Sequence, residues 1–379
     1  MDTVDVLVWV RRVGLAVLGL VALVYLAGIW HYSNVIEERL LIPEGVVTEP
    51  RFQVVSVDDA RVILQRNEDT EREGVWGLSG PNGYGRISSV LAVGGNDVER
   101  AFVVLDGTFE PGDAVGIDQY AHQGDPLTAL DIPFEEVRVA GERGVNPAWV
   151  IEGRRDTWVV IVHDKGTDER RQALRVLPPL REAGYPVLVA SYRNDEGAAP
   201  SESGRLAWGL EEWADVEAAV RFAQTRGAEE FVLVGYGMGA EIASMFLHES
   251  ELAGQVVGVV FDAPTLDPVA LIDDGIPWLF AGGARAIAGV RFGMAWDELD
   301  QVARVDEFDP SIPILLMHGA IDATAPVRVS DEFAAAAAHV QYERLADADH
   351  MYAWNVGPVA YEGALVRFAD SVATTSPTS

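Results

Sequence analysis

The chain has no cysteine among its 379 residues. That excludes disulfides, thiolate-bound zinc and a cysteine nucleophile, and it leaves the compartment open. Lysine is nearly absent: Lys165 is the only one, and the other cationic residues are arginines. Positive charge is scarce altogether. The 28 basic residues face 59 acidic ones, for a net charge of −31. So negative a surface repels nucleic acid and anionic headgroups and favours solubility, so no nucleic-acid partner is expected. The seven histidines are scattered without metal-ligand spacing. No glycine-rich phosphate loop follows a strand in the right frame, so neither a metal nor a nucleotide or hydride cofactor is expected. There is no internal repeat.

Apolar residues, in contrast, make up 49% of the chain, enough for a sizeable core. One run stands apart. From Val13 to Trp30 the sequence reads VGLAVLGLVALVYLAGIW, without a charge. That length is about the minimum to span a bilayer. Arg11 and Arg12 precede it, and Glu37 and Glu38 follow it. The positive-inside tendency then puts residues 1–12 in the cytoplasm and everything after His31 outside the cell membrane, as a single-pass protein. A cleaved signal peptide is the rival reading. Its apolar region is normally shorter, and no small-x-small cleavage site precedes Trp30.

Residues 31–45 read as a helical or extended stalk. Residues 46–135 carry short runs such as FQVVSV, ARVILQR, ISSVLAV and RAFVVLDG, separated by SGPNGYG, VGGND and EPGD. This is the pattern of strands joined by turns, and it predicts a β-rich accessory region. Beyond it EEVRVAG and NPAWVIEG form a plausible hairpin. TWVVIVHD, PVLVASY, FVLVG, VVGVVFDAP and PILLMHG read as buried strands. Helical stretches alternate with them, among them Asp168 to Ala183, Leu210 to Thr225 and GAEIASMFLHES. Alternation of this kind predicts a mostly parallel sheet covered by helices on both faces. Residues 265–305 break the rhythm with Trp278, Phe280, Phe292, Trp296 and many glycines, which suits a cap over a pocket. Residues 376–379 read as a disordered tail.

Three stretches have chemical interest. VGYGMGAE sits at a strand-to-helix turn and has the frame of a nucleophile elbow, G-x-S-x-G, with Gly237 where the serine belongs. HGAIDATAPV places Asp322 just beyond a strand, and DADHMYAWN places His350 after the last strand. Nucleophile, acid and histidine in this order, each beyond a strand's C-terminal end, is the arrangement of an α/β-hydrolase.

On these motifs, residues 136–375 resemble the α/β-hydrolase family, in particular its serine esterases, lipases and aminopeptidase-like members. The resemblance implies an α/β-hydrolase fold with a cap at about 265–305. It implies Gly237, Asp322 and His350 at the nucleophile, acid and base positions. It implies an oxyanion hole from Met238 and from the Asp164–Lys165 loop, and a small acyl compound or a peptide as ligand. The chain departs from the family at two places. Gly237 has no side chain and forms no acyl-enzyme. His163-Asp164 stands where the family usually has His-Gly, and an acid there opposes a developing oxyanion.

Ordinary roles remain open for several residues. Asp262 reads as a helix cap or as a site-lining residue. Tyr236 lines the pocket or packs beneath it, and His163 orients its loop. Ser201, Ser203 and Ser244 are replacement nucleophiles only on paper. Three expectations follow: a non-catalytic hydrolase-fold protein, a slow hydrolase in which His350 activates water, or a surface protein that binds through residues 46–135.

Overall fold

The computed structural model describes residues 3–45, 48–166, 169–337 and 339–373. The expected tail at 376–379 and the expected helix start at Asp168 lie outside the described residues.

The apolar run belongs to one long helix, α1 (Thr3–Ile36), continued by a π-helical turn, Glu37–Leu41. It extends well beyond 13–30 because nothing on either side breaks a helix. It stops where Ile42, preceding Pro43, turns extended at φ −86°, ψ 123°, the conformation forced on a residue before proline. The segment Val6–Leu41 is long and apolar enough to cross a membrane, with almost none of its apolar stretch buried in the protein.

A small closed barrel follows. Its strands are β1 (Phe52–Val57), β2 (Arg61–Gln65), β3 (Trp76–Ser79), β4 (Gly83–Val93), β5 (Asp97–Gly107) and β6 (Ala114–Asp118). They pair in the order β1-β2-β5-β4-β3-β6, and closure leaves no free edge. Alternate residues, including Phe52, Val54, Val62, Leu64, Ile87 and Phe102, point inward and fill it. The short helix α2 (Glu68–Glu71) lies between β2 and β3, and α3 (Pro126–Leu130), capped by Asp125, leads out of the barrel.

The rest of the chain builds an eight-stranded sheet, ordered β14-β13-β12-β11-β9-β10-β8-β7. Its strands are β7 (Glu135–Ala140), β8 (Val145–Ile151), β9 (Thr157–Val162), β10 (Val187–Ala190), β11 (Glu230–Tyr236), β12 (Val256–Asp262), β13 (Ile314–Gly319) and β14 (Val340–Leu345). Only β8 runs antiparallel to its neighbours. Strands β9, β10 and β13 are buried at every position, because helices cover both faces. The covering helices are α4 (Leu177–Glu182), α5 (Trp213–Thr225), α6 (Met238–Glu249), α9 (Val327–Ala336), α10 (Ala353–Val356) and α11 (Pro358–Val372). Between β12 and β13 the chain makes α7 (Pro268–Gly275) and α8 (Trp278–Phe292). The single helix expected over 168–183 is instead a 3₁₀ segment, Glu169–Arg175, followed by α4. Pro178 and Pro179 account for the break, since proline is tolerated in the first turn of a helix and not in its interior.

The barrel leans on the loop after β14. Asn355 is fully buried there. Its Nδ2 donates to the carbonyls of Val75 and Gln119, at 2.7 and 2.8 Å, and its Oδ1 accepts from Arg175 Nη1 at 3.2 Å. Trp76 meets Tyr352 edge-on at 4.6 Å. Asn355→Ala leaves two barrel carbonyls and one guanidinium N–H unpartnered. It is expected to lower the free energy of unfolding by about 1–3 kcal/mol. Urea titration of the purified protein measures this, and an unchanged midpoint would refute the bridging role.

Candidate functional site

Gly237 alone separates the end of β11 from the start of α6. Its φ of 51° and ψ of −114° suit glycine and form the sharp elbow. The flanking glycines are equally constrained. A Cβ at Gly239 would strike the carbonyl of Val162, and one at Gly235 the backbone of Ala240. The turn is therefore as tight as an elbow requires.

A Cβ at Gly237, however, would fall on the carboxylate of Asp164. Asp164 follows β9, and its side chain fills the space into which an elbow nucleophile would project. Its Oδ1 accepts a hydrogen bond from Met238 N–H at 2.7 Å. The backbone N–H of Lys165 helps to lower the pKa of the same carboxylate. The Met238 N–H is a donor of the expected oxyanion hole, and an internal anion occupies it. This corrects the expectation for Asp164. Its own N–H is committed to Gln172 Oε1 at 2.9 Å, so the residue is the occupant of the hole and not a donor to it. The Lys165 side chain also departs from expectation: Nζ donates to Arg39 O at 2.9 Å, beyond α1.

His350 lies on the other side of the carboxylate. Its Nε2 is 3.7 Å from Asp164 Oδ2, and its Nδ1 is 2.9 Å from Asp322 Oδ2. Asp322 is fully enclosed. His318 Nε2 reaches the same Oδ2 at 3.0 Å, while Thr324 and Ala325 N–H groups donate to Oδ1 at 2.8 and 2.7 Å. Asp349 ties the two loops together, accepting from Ala323 N–H at 2.9 Å and from His350 N–H at 2.8 Å. Gly237, Met238, Asp164, Asp322 and His350 thus converge within one site.

The electrostatics follow from this packing. Burial disfavours a charged His350, yet the hydrogen bonds and charges of Asp164 and Asp322 outweigh it and raise its pKa to about 10. Burial likewise opposes the Asp164 carboxylate, but His350 and the two N–H donors hold its pKa below the ordinary carboxylate value. The imidazolium is therefore clamped between two carboxylates at neutral pH. A base in that state accepts no proton.

The supporting residues have structural partners. His163 sits between the Asp164 carbonyl (Nδ1, 2.7 Å) and Asp195 (Nε2, 2.8 Å) and stacks on Tyr192 at 4.5 Å, which orients the loop. Asp262 is wholly buried and accepts from Tyr361 O–H at 2.8 Å, so it neither lines the site nor caps a helix. Tyr236 packs beneath, with the Arg175 guanidinium 5.6 Å from its ring. Ser201 Oγ donates to the Arg205 carbonyl, and Ser244 Oγ to that of Ala240. Ser203 Oγ accepts from Arg205 N–H. None of these serines meets His350. Sequence reasoning did not find His318, Asp349 or Gln172. His318 and Gln172 lie four and eight residues from the aspartates they serve, and only the contact of Asp349 with Ala323 spans a long separation, so what was missing was the direction in which the loops turn these side chains.

A cavity of about 960 Å³ opens over the site, walled by Glu38, Arg39, Leu40, Leu271 and Arg328 and floored by Asp164 and His350. A second crevice, about 480 Å³, reaches His350 from between barrel and sheet, past Arg51, Arg72 and Asp118. Among the described residues no group of three His, Asp or Glu is placed to hold a metal ion.

Residues 53–118, the barrel, match a family model described as a domain of unknown function (DUF8805). No curated protein sequence matches the chain. Among solved structures, the Pyrococcus furiosus esterase Pf2001 is similar at 18% identity. The match covers 66% of this chain and 96% of that one, with a TM-score of 0.52. A second crystal form of that esterase gives 20% identity, 66% and 94% coverage and a TM-score of 0.50. The carboxylesterase CesB (YbfK) of Bacillus subtilis is similar at 16% identity, with 65% and 95% coverage and a TM-score of 0.47. The likeness to the Pyrococcus enzyme shows an α/β-hydrolase fold, and identity this low carries the fold alone.

The charge cluster predicts a pH profile for stability. His350 stays protonated to about pH 10 when folded but only to about 6.5 when unfolded. Its contribution is complete below about pH 6.5 and is lost as pH rises towards 10. The lowered pKa of Asp164 acts the other way, with stability present above about 3.8 and lost below it. Stability from the cluster therefore peaks between these limits. In His350→Gln the decline between pH 6.5 and 10, on the order of a few kcal/mol in wild type, is expected to flatten. Urea midpoints across that range test it, and parallel profiles for the two proteins would overturn the assignment.

Proposed function

We propose that this is a membrane-anchored, non-catalytic α/β-hydrolase-fold protein, whose acyl-transfer site is closed by its own Asp164. The observation that carries the reading is the Asp164 carboxylate on Met238 N–H, in the space of the absent Gly237 side chain. An oxyanion hole that already holds an anion gives no stabilisation to a tetrahedral intermediate, and a single hole donor is worth roughly 10²–10³ in rate. Gly237, Asp322 and His350 keep the nucleophile, acid and base positions of a hydrolase, with Met238 and Lys165 as the remaining hole donors. The cavity above them is left to bind a small acyl compound or a peptide without turnover.

We assign residues 13–30 to the membrane span, 1–12 to the cytoplasm and 31–45 to the stalk. Residues 46–135 form the accessory region, and 136–375 the hydrolase-fold domain outside, with its cap at 265–305. The charge-free length of α1 and the placement of Arg11 and Arg12 before it support this topology. A slow hydrolase using His350-activated water is disfavoured, because His350 is a cation at neutral pH. Such activity would rise only as pH approaches 10.

The test compares four full-length proteins in detergent: wild type, Gly237→Ser, Asp164→Gly and the double variant. Each is exposed to a fluorophosphonate probe and a short-chain chromogenic ester. Wild type and Gly237→Ser are both expected to stay silent, since the new Cβ would collide with Asp164. Labelling is expected only when Asp164→Gly accompanies Gly237→Ser. Saturable wild-type ester hydrolysis at neutral pH would sink the proposal. Labelling of Gly237→Ser alone would show that Asp164 does not close the site.

A further inference from the structure

The cap helix α8, WLFAGGARAIAGVRF, carries no acidic residue in a chain that has 59. Its three faces have different fates. Ala281, Ala284 and Ala288 are buried against the body of the protein. Phe280, Gly283 and Arg291 face α1. The Phe280 ring stacks on Tyr25 at 5.8 Å and on Tyr32 at 5.3 Å, and Gly283 has room only for Ile29. Arg291 donates to Asn34 Oδ1 at 2.7 Å and lies 4.2 Å from the Trp30 ring. The third face is Leu279, Gly282, Ala286 and Val290, spaced as one stripe of a helix and exposed along its length. It bears no charge. Val290 is 88% exposed, and Trp278 beside the stripe is 86% exposed.

The depth of this contact along α1 gives it meaning. Tyr25, Gly28 and Ile29 lie inside the charge-free stretch that ends at Trp30. Tyr25 is five residues short of that end, about 8 Å along a helix axis. A hydrocarbon core that covers Val13–Trp30 therefore reaches the N-terminal end of α8 as well. In water a bare apolar stripe continuous with the lipid-facing side of α1 would be an unexplained exposure.

We propose that α8 is an interfacial membrane helix: its Trp278–Leu279 end and its uncharged stripe sit in the bilayer leaflet nearest the hydrolase-fold domain, beside α1. The inference rests on the reading of α1 as a membrane span. The occupant of the stripe is the lipid surface itself, and the exposed Trp278–Leu279 end, at the depth of Tyr25, enters the acyl region below the headgroups. Val290 and Arg291 lie at the shallower, polar end, next to Ser33 and Asn34. The arrangement also brings the cavity close to the lipid surface, because Glu38–Leu40 directly follow α1 and Leu271 and Gly275 of α7 precede α8.

The absence of cysteine makes the test clean. Four full-length single-cysteine variants, Leu20→Cys, Trp278→Cys, Val290→Cys and Val103→Cys, are labelled with an environment-sensitive fluorophore. Each is reconstituted into phosphatidylcholine vesicles containing acyl-chain spin-labelled lipid. Trp278, Val290 and Val103 are exposed side chains, so their replacement leaves the fold intact. The label at 20 is expected to lose most of its emission to the spin label and to be shielded from aqueous iodide. The label at 278 is expected to behave likewise with a shallower quencher, and the label at 290 to a lesser extent. The label at 103, on the barrel, is expected to respond to iodide alone. Quenching at 20 together with full iodide access at 278 overturns the seating of α8 and leaves the anchor standing. Iodide access at both 20 and 278 overturns the anchor and the inference together.

Discussion

The pairing of the Asp164 carboxylate with the N–H of Met238 organises the centre of this molecule. The two meet because β9 and β11 are adjacent parallel strands whose loops end at the same level. An elbow at Gly237 then aims the first N–H of α6 at the loop after β9. Any anion at that point is favoured, and here it comes from the chain itself. The cation that answers it, His350, is supplied by the loop after β14 and is braced by Asp322 behind. The cluster is thus a closed chain of charges, from carboxylate to imidazolium to carboxylate, built beyond the C-terminal ends of β9, β13 and β14.

Closing the site with a carboxylate has a physical cost. Burying Asp164, His350 and Asp322 together is unfavourable for each charge singly. The arrangement is tolerable because every oxygen has a partner. Met238 and His350 serve Asp164, and His318, Thr324, Ala325 and His350 serve Asp322. Removing a single member leaves the others uncompensated, which couples the loops after β9, β13 and β14 into one unit. Asp349 and Asn355 extend that unit to the barrel.

The two ends of the architecture meet at the cap. Glu37, just after α1, pairs with Arg205 of the loop before α5, while Arg39 receives Lys165 from the loop that carries Asp164. The long N-terminal helix is therefore held to the body of the protein. It packs on α8, and the turn that follows it supplies part of the cavity wall and touches the loop that carries Asp164. The barrel approaches from the other side, through the histidine loop. Site, α8, α1 and barrel share their contacts within a narrow region of the molecule.

Much of this was legible without coordinates. Alternating apolar strands and helices specify a helix-covered parallel sheet, because a strand buried on both faces must be apolar throughout. The charge-free run before His31 specifies a long helix, and the short β runs between turn residues specify the barrel's strands. The frame around Gly237, Asp322 and His350 is likewise written in local motifs, each tied to a strand end. Three features needed the tertiary structure. Asp164 read as an antagonist of an oxyanion, and only the fold placed its carboxylate within the hole. His318, Asp349 and Gln172 lie near their partners in sequence, but only the folded loops turn their side chains onto the site. The contact of α8 with α1 joins segments some 250 residues apart. Local sequence determines what each segment can form, through propensity and periodicity. Which charges meet in a low-dielectric interior depends on how the segments pack, and that is where the chemistry of this site was decided.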